Sequence, residues 1–313
     1  MRKPDAVYSL LQKSLHIAPY ITRLHIEFEF ISDEILAGDT KSLIKIFNRL
    51  KNVQSCTASS IPNGHIHASL LSGFLAFLSR QPLRALHINA ADPLLPVVCL
   101  RLLTLAPVIS FTFVLLGDDN DFPMPDSQPA VPRMRELTLG AYTANVNTLL
   151  ARTQPRGYTQ GLLRISVHCR DDPANDIVFA NAGTLEHIVF RLGGGPPAIP
   201  LLPALRSVQL SSWREHQKPG FFDLISTILD SSPLLSGLTL EFPVKHADLH
   251  IRPELLHRLD TALVEHTAAP SIQWRASQVW SDDEKAAFAD FVAQVRRGMP
   301  RVDEKHRLML EAV

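Results

Sequence analysis

Apolar residues recur along the chain in a six-residue frame, apolar-x-x-apolar-x-apolar. It reads Ile21-x-x-Leu24-x-Ile26, Leu83-x-x-Leu86-x-Ile88, Val108-x-x-Phe111-x-Phe113 and Met134-x-x-Leu137-x-Leu139. It continues as Leu162-x-x-Ile165-x-Val167, Leu185-x-x-Ile188-x-Phe190, Leu205-x-x-Val208-x-Leu210 and Leu235-x-x-Leu238-x-Leu240. A weak copy stands at Leu50-x-x-Val53, and Ala269-x-x-Ile272-x-Trp274 ends the series. Successive starts lie 20 to 34 residues apart. Alternate side chains of a strand point to opposite faces, so the last two apolar positions of each frame share one face. The residues beside them should then meet solvent. They are Arg23, His25 and Glu27; Ala85, His87 and Asn89; Glu136, Thr138 and Gly140; Arg164, Ser166 and His168; His187, Val189 and Arg191. Further along they are Ser207, Gln209 and Ser211; Gly237, Thr239 and Glu241; Ser271, Gln273 and Arg275.

Amphipathic segments separate these strands. Helices are predicted over 5–17, 41–50, 66–79, 94–105, 142–152, 221–229 and 255–264, each ahead of its strand. One strand and one helix cannot bury their apolar sides alone, and stacking such units joins those sides into one core. A repeat of 20 to 34 residues falls in the range of leucine-rich solenoids. The expected fold class is therefore α/β: a leucine-rich-repeat-like solenoid with a curved parallel sheet and helices on the convex face. Residues 1–20 are expected to form an N-terminal capping helix and 21–276 the irregular repeats. Residues 277–313 are expected to hold a C-terminal capping helix and tail. That helix opens on Ser281 and Glu284, spaced as a capping box, and carries Ala286, Phe288, Phe291, Val292 and Val295 on one face.

Composition narrows the function. The apolar fraction of 46% and charged fraction of 20% belong to a folded protein. Thirty-one basic and 31 acidic residues cancel, which points away from nucleic acid and from an anionic membrane as partners. No run of about 18 apolar residues occurs. The N-terminal residues lack the apolar core of a secretory signal. Three distant cysteines, Cys56, Cys99 and Cys169, do not make a disulfide framework and fit a reducing cytoplasmic or nuclear setting.

Candidate chemistry is sparse. His65 and His67 offer two metal ligands and His246, Asp248 and His250 another group, but no HExxH motif is present. Asp118, Asp119, Asn120 and Asp121 lack the glycine and distal glutamate of a calcium loop. Gly193, Gly194 and Gly195 precede prolines and match no phosphate-binding loop. No Gly-x-Ser-x-Gly elbow occurs, so catalysis would need a triad assembled only by the fold. No metal or cofactor is expected.

The helix-then-strand units with wandering period resemble the repeat region of basidiomycete F-box-like leucine-rich-repeat proteins. The ending is similar too: Asp282-Asp283-Glu284 through Arg296-Arg297-Gly298-Met299-Pro300, then the apolar tail Arg307-Leu308-Met309-Leu310. No F-box is recognised ahead of Ile21. The asparagine expected eight positions into each repeat is replaced by Glu29, Ala91, Tyr142, Trp213 and Pro243. The resemblance implies a substrate receptor for a ubiquitin-ligase adaptor; a stand-alone repeat scaffold and a hydrolase with a cryptic triad are the alternatives. The expected function is binding of a protein partner on the concave strand face. The expected contact residues are Arg23, His25, Glu27, His87, Glu136, Arg164, His168, His187, Arg191, Gln209, Glu241 and Arg275. Among them His25, His87, His168 and His187 could also sense pH or bind an acidic partner.

Overall fold

The computed structural model describes residues 4–28, 33–59, 68–89, 94–113, 134–140, 143–153, 157–169, 173–193, 197–212, 219–243, 251–277, 279 and 281–312. The chain divides into two compact units, residues 1–160 and 161–313.

In the first unit, α1 (Pro4–Lys13) and a 3-10 turn (Leu15–Tyr20) lead to β1 (Arg23–Glu27). Then follow α2 (Asp33–Arg49), β2 (Ser55–Ser59), α3 (Ala68–Ser79), β3 (Ala85–Asn89), α4 (Pro96–Leu103), β4 (Val108–Phe113), β5 (Glu136–Leu139) and α5 (Ala144–Thr153). All neighbouring strands of the unit are parallel and lie side by side in sequence order. Register stacks the inward apolar positions into two lines. One is Leu24, Cys56, Leu86, Ile109 and Leu137; the other is Ile26, Ala58, Ile88, Phe111 and Leu139. All are buried except Leu24, which sits on the edge strand. Burying each of the larger side chains stabilises by about 1.5–3 kcal/mol. At β4 register displaces the expected frame Val108-x-x-Phe111-x-Phe113 by two residues, to Ala106-x-x-Ile109-x-Phe111, whose three apolar residues are all buried. The helix layer adds an aromatic cluster in which Phe47 stacks on Phe77 at 4.8 Å and Phe28 meets the edge of Phe74 at 5.5 Å.

The second unit runs β6 (Arg164–Cys169), α6 (Pro173–Ala180), β7 (His187–Leu192), β8 (Ser207–Ser212), α7 (Pro219–Ser231), β9 (Gly237–Pro243), α8 (Pro253–Glu265) and β10 (Ser271–Ser277). It ends with α9 (Asp282–Gly298), α10 (Pro300–Glu304) and β11 (Leu308–Ala312). Its strands are again parallel and sequential. The apolar lines are Ile165, Ile188, Val208, Leu238, Ile272 and Leu308, and Val167, Phe190, Leu210, Leu240, Trp274 and Leu310. Between β7 and β8 no helix forms in the described residues, because 13 of the 14 intervening positions from Gly193 to Arg206 are glycine, proline, alanine, leucine or isoleucine without helical spacing.

One device repeats at the strand entrances. The Thr22 carbonyl accepts the N–H groups of both Gln54 and Ser55, and Gln54 does the same for Arg84 and Ala85. Pro107, Leu163, Glu186 and Arg206 repeat it for the following strand. The two x positions inside the frame thus supply a carbonyl and two donors, fixing each strand's register on the last. No asparagine ladder is needed. The turns are tied by other side chains: Asn52 donates to the Pro19 carbonyl, and Gln81 joins the Val53 N–H to the Leu50 carbonyl. In the second unit Asn181 and Thr184 bond the backbone of Leu162, and His266 Nε2 faces the carbonyls of Leu229 and Ser232.

The end of the second unit differs from the expected helix and tail. The capping box of Ser281 and Glu284 is present, and Phe291 of α9 packs against Phe242 at 4.9 Å and Trp274 at 5.5 Å. The apolar tail, however, is a strand: β11 pairs with β10. Lys305 stands where the frame's first apolar residue would fall, which hides the repeat from the pattern. The weak copy at Leu50 is displaced by three residues, since the true frame is Val53-x-x-Cys56-x-Ala58. Its inward residues are small, so the hydrophobic signal is faint.

Candidate functional site

The strand face opposite the core carries the frame's intervening residues. In the first unit Arg23, His25 and Glu27 are exposed on β1. Register carries His25 through Thr57 to His87 on β3, so those two histidines lie two strands apart, about 10 Å at a strand spacing of about 4.8 Å. Glu136 lies in the row of Arg23, Ser55, Ala85 and Val108. Four strand steps, about 19 Å, separate it from Arg23. The candidate residues of this unit share a face without forming a cluster.

The second unit is denser. Three rows cross its strands: Arg164, His187, Ser207, Gly237 and Ser271; Ser166, Val189, Gln209, Thr239, Gln273 and Met309; and His168, Arg191, Ser211, Glu241, Arg275 and Glu311. Cross-strand hydrogen bonds knit the later strands. Glu241 Oε2 accepts from Gln209 Nε2 at 2.6 Å and from Ser211 Oγ at 2.8 Å. Glu311 Oε2 accepts from Gln273 Nε2 at 2.6 Å and from Arg275 Nε at 3.3 Å. Each carboxylate therefore serves a neighbouring strand, an arrangement that favours a single ordered geometry for the face. The Arg275–Glu311 pair is partly solvent-exposed, so its own contribution to stability is small.

These bonds bring together Gln209 and Glu241 among the expected residues and join Arg275 to Glu311, which the sequence pattern left in the tail. Ser211, Thr239 and Gln273 were legible as solvent-facing positions. Their partnership was not, because it depends on which strands lie in register.

A serine and a histidine do meet: Ser207 Oγ lies 2.6 Å from His187 Nδ1. In hydrolase triads the histidine faces its serine through Nε2 and keeps Nδ1 for the carboxylate. Here the contact is a rung between β7 and β8, matching the other cross-strand bonds. Among the described residues no group of three or more His, Cys, Asp or Glu is placed to hold a metal ion. His65, His67, Asp118, Asp119, Asn120, Asp121, Gly194, Gly195, His246, Asp248 and His250 lie outside the described residues. Cys56 and Cys99 are buried and free, and burial pushes each thiol up to about 12, the opposite of what a reactive cysteine needs.

In the described residues no helix is long and apolar enough to cross a membrane. No family model matches the chain, and no curated protein matches it. Among solved structures it is similar to a psychrophilic glycoside hydrolase family 10 endo-β-1,4-xylanase, at 10% identity over 95% of this chain and 87% of that one. The TM-score is 0.25, too low for the likeness to say anything of the chemistry, and the chain's α/β fold of sequential parallel strands rests on its own geometry.

Proposed function

We propose that each unit is a segment of a leucine-rich-repeat-like solenoid, with the strand face on its concave side, and that this face binds a protein partner. The observation that supports the reading is the ordered polar face of the second unit, where Gln209, Ser211, Glu241, Gln273, Arg275 and Glu311 are fixed by bonds between strands. A face preorganised in this way loses less side-chain freedom on association. It also mixes both charges, which sets specificity and association rate more than affinity, and which suits a protein better than a polyanion. By its resemblance to F-box-like repeat proteins, the chain is further proposed to act as a substrate receptor of a ubiquitin ligase.

The test is affinity purification of the tagged chain from its own host, beside a variant carrying Arg164→Ala, His168→Ala, His187→Ala and Arg191→Ala. A partner lost only from the variant supports binding by the strand face. Adaptor and cullin subunits recovered with both chains support the ligase role; their absence leaves a plain scaffold. Identical recoveries from both chains refute the assignment of the face.

A further inference from the structure

The basic side chains of the second unit are not spread evenly over its face. Register pairs Arg164 with His187 and His168 with Arg191 across β6 and β7. These four residues occupy the corners of a rectangle about 5 Å across the strands and about 13 Å along them, from a spacing of about 4.8 Å between strands and about 3.3 Å per residue. Between the corners lie Val189, half-buried, and Ser166, which was expected to meet solvent but is buried beneath its neighbours. In the second unit the carboxylates of this face, Glu241 on β9 and Glu311 on β11, are occupied, Glu241 by Gln209 and Ser211 and Glu311 by Gln273 and Arg275. Arg191 is exposed and forms no ion pair with a described residue. His187 is held by Ser207 through Nδ1 alone. Arg164 and His168 have contacts of their own and are not required free, and the Arg164 guanidinium adds positive field.

We infer that this corner takes an acidic protein segment, extended along β6 and β7, with two carboxylates four residues apart. The inference rests on the reading of the strand face as a binding surface and names the class of segment it receives. Charge complementarity selects the occupant, and the spacing follows from the geometry, since four residues of extended chain also span about 13 Å. A nucleic-acid backbone fits worse. The row of Arg191 continues through Ser211 to Glu241, so phosphates crossing the strands would meet a carboxylate about 10 Å from Arg191.

The experiment is fluorescence anisotropy on the full chain with a labelled nine-residue serine peptide carrying glutamate at its third and seventh positions. Comparison probes carry glutamine at those positions or glutamate at adjacent positions, and a nine-nucleotide single-stranded oligothymidine is the polyanion. The glutamate peptide should bind at least tenfold tighter than the glutamine peptide, and several-fold weaker at high salt. Arg191→Glu should weaken it at least tenfold and Arg191→Gln several-fold, while Arg296→Glu on the exposed side of α9 should leave it unchanged. Equal affinity for the glutamine peptide, insensitivity to both Arg191 variants, or equally tight oligothymidine binding would overturn the inference. Equal binding of the adjacent-glutamate peptide would overturn the spacing. If the peptide fails but the four-alanine variant still loses a partner, the acidic-segment inference falls and the binding face stands; if that variant loses nothing, both fall.

Discussion

Two neighbouring residues of β7 separate the core from the proposed binding face, and substituting each gives opposite outcomes. Phe190 points inward and is 1% exposed, while Arg191 points outward and is exposed. Phe190→Ala removes an aromatic ring from the line between Val167 and Leu210, and such truncations in a packed core cost about 3–5 kcal/mol. In a unit of about 150 residues, 1 kcal/mol moves the melting midpoint by about 2–4 °C. The expected drop is therefore about 10 °C for the transition that reports the second unit. Arg191→Ala, with no described ion pair to lose, should stay within about 0.5 kcal/mol, or about 2 °C. Thermal unfolding followed by calorimetry reads both, and it also resolves two transitions if the two units melt separately. Binding reverses the order, since Arg191→Ala should weaken partner recovery in a chain that melts normally. Were Phe190→Ala to cost under 1 kcal/mol, or Arg191→Ala over 1.5, the alternation on which both faces rest would be wrong. A register slip of one residue would exchange every inward and outward side chain of the strand.

Burial of Cys56 and Cys99 predicts that alkylation at pH 8 leaves both unmodified in the native chain and labels both in denaturant, as peptide mass spectrometry would show; labelling of either under native conditions contradicts their placement. Each thiol ordinarily ionises near 9.0 and is pushed up to about 12 by burial. Between those values the unfolded chain gives up a proton that the folded chain keeps. The two cysteines should therefore subtract stability as pH rises above 9, by roughly 1.4 kcal/mol per pH unit for each thiol. Asp260, fully buried on α8, accepts the Val302 N–H at 2.9 Å and the Arg301 N–H at 3.4 Å at the start of α10. Asp260→Ala leaves those donors without their acceptor, costing about 1–3 kcal/mol, and should speed amide exchange through 299–307; unchanged exchange there would mean that the carboxylate does not hold α10.

Most of the layered plan was legible because it rests on side-chain periodicity, which sequence states directly. Leu86 and Ile88, or Leu238 and Leu240, announce their strands without any partner. The structure adds what periodicity cannot carry. β2 hides behind the small residues Cys56 and Ala58, and β11 behind Lys305. The short helices α6 and α10 offered too few turns to show a face. On the candidate site, sequence could assign side chains to a face but not to neighbours. Glu241 finds Gln209 and Ser211, and Glu311 finds Gln273 and Arg275, only through strand register across 30 to 38 residues of chain. That register is fixed by the paired backbone bonds at the strand entrances, which leave no mark on residue type.

The most direct measurement places a photo-crosslinking phenylalanine analogue at Val189, in the middle row of the polar face, and at Ala293, on the exposed side of α9. Both chains would be irradiated in the native host and their adducts identified by mass spectrometry. The account predicts a discrete protein adduct from Val189 and none of that identity from Ala293. Adducts formed from Ala293 while Val189 stays unlinked would contradict it and move the binding surface to the helices.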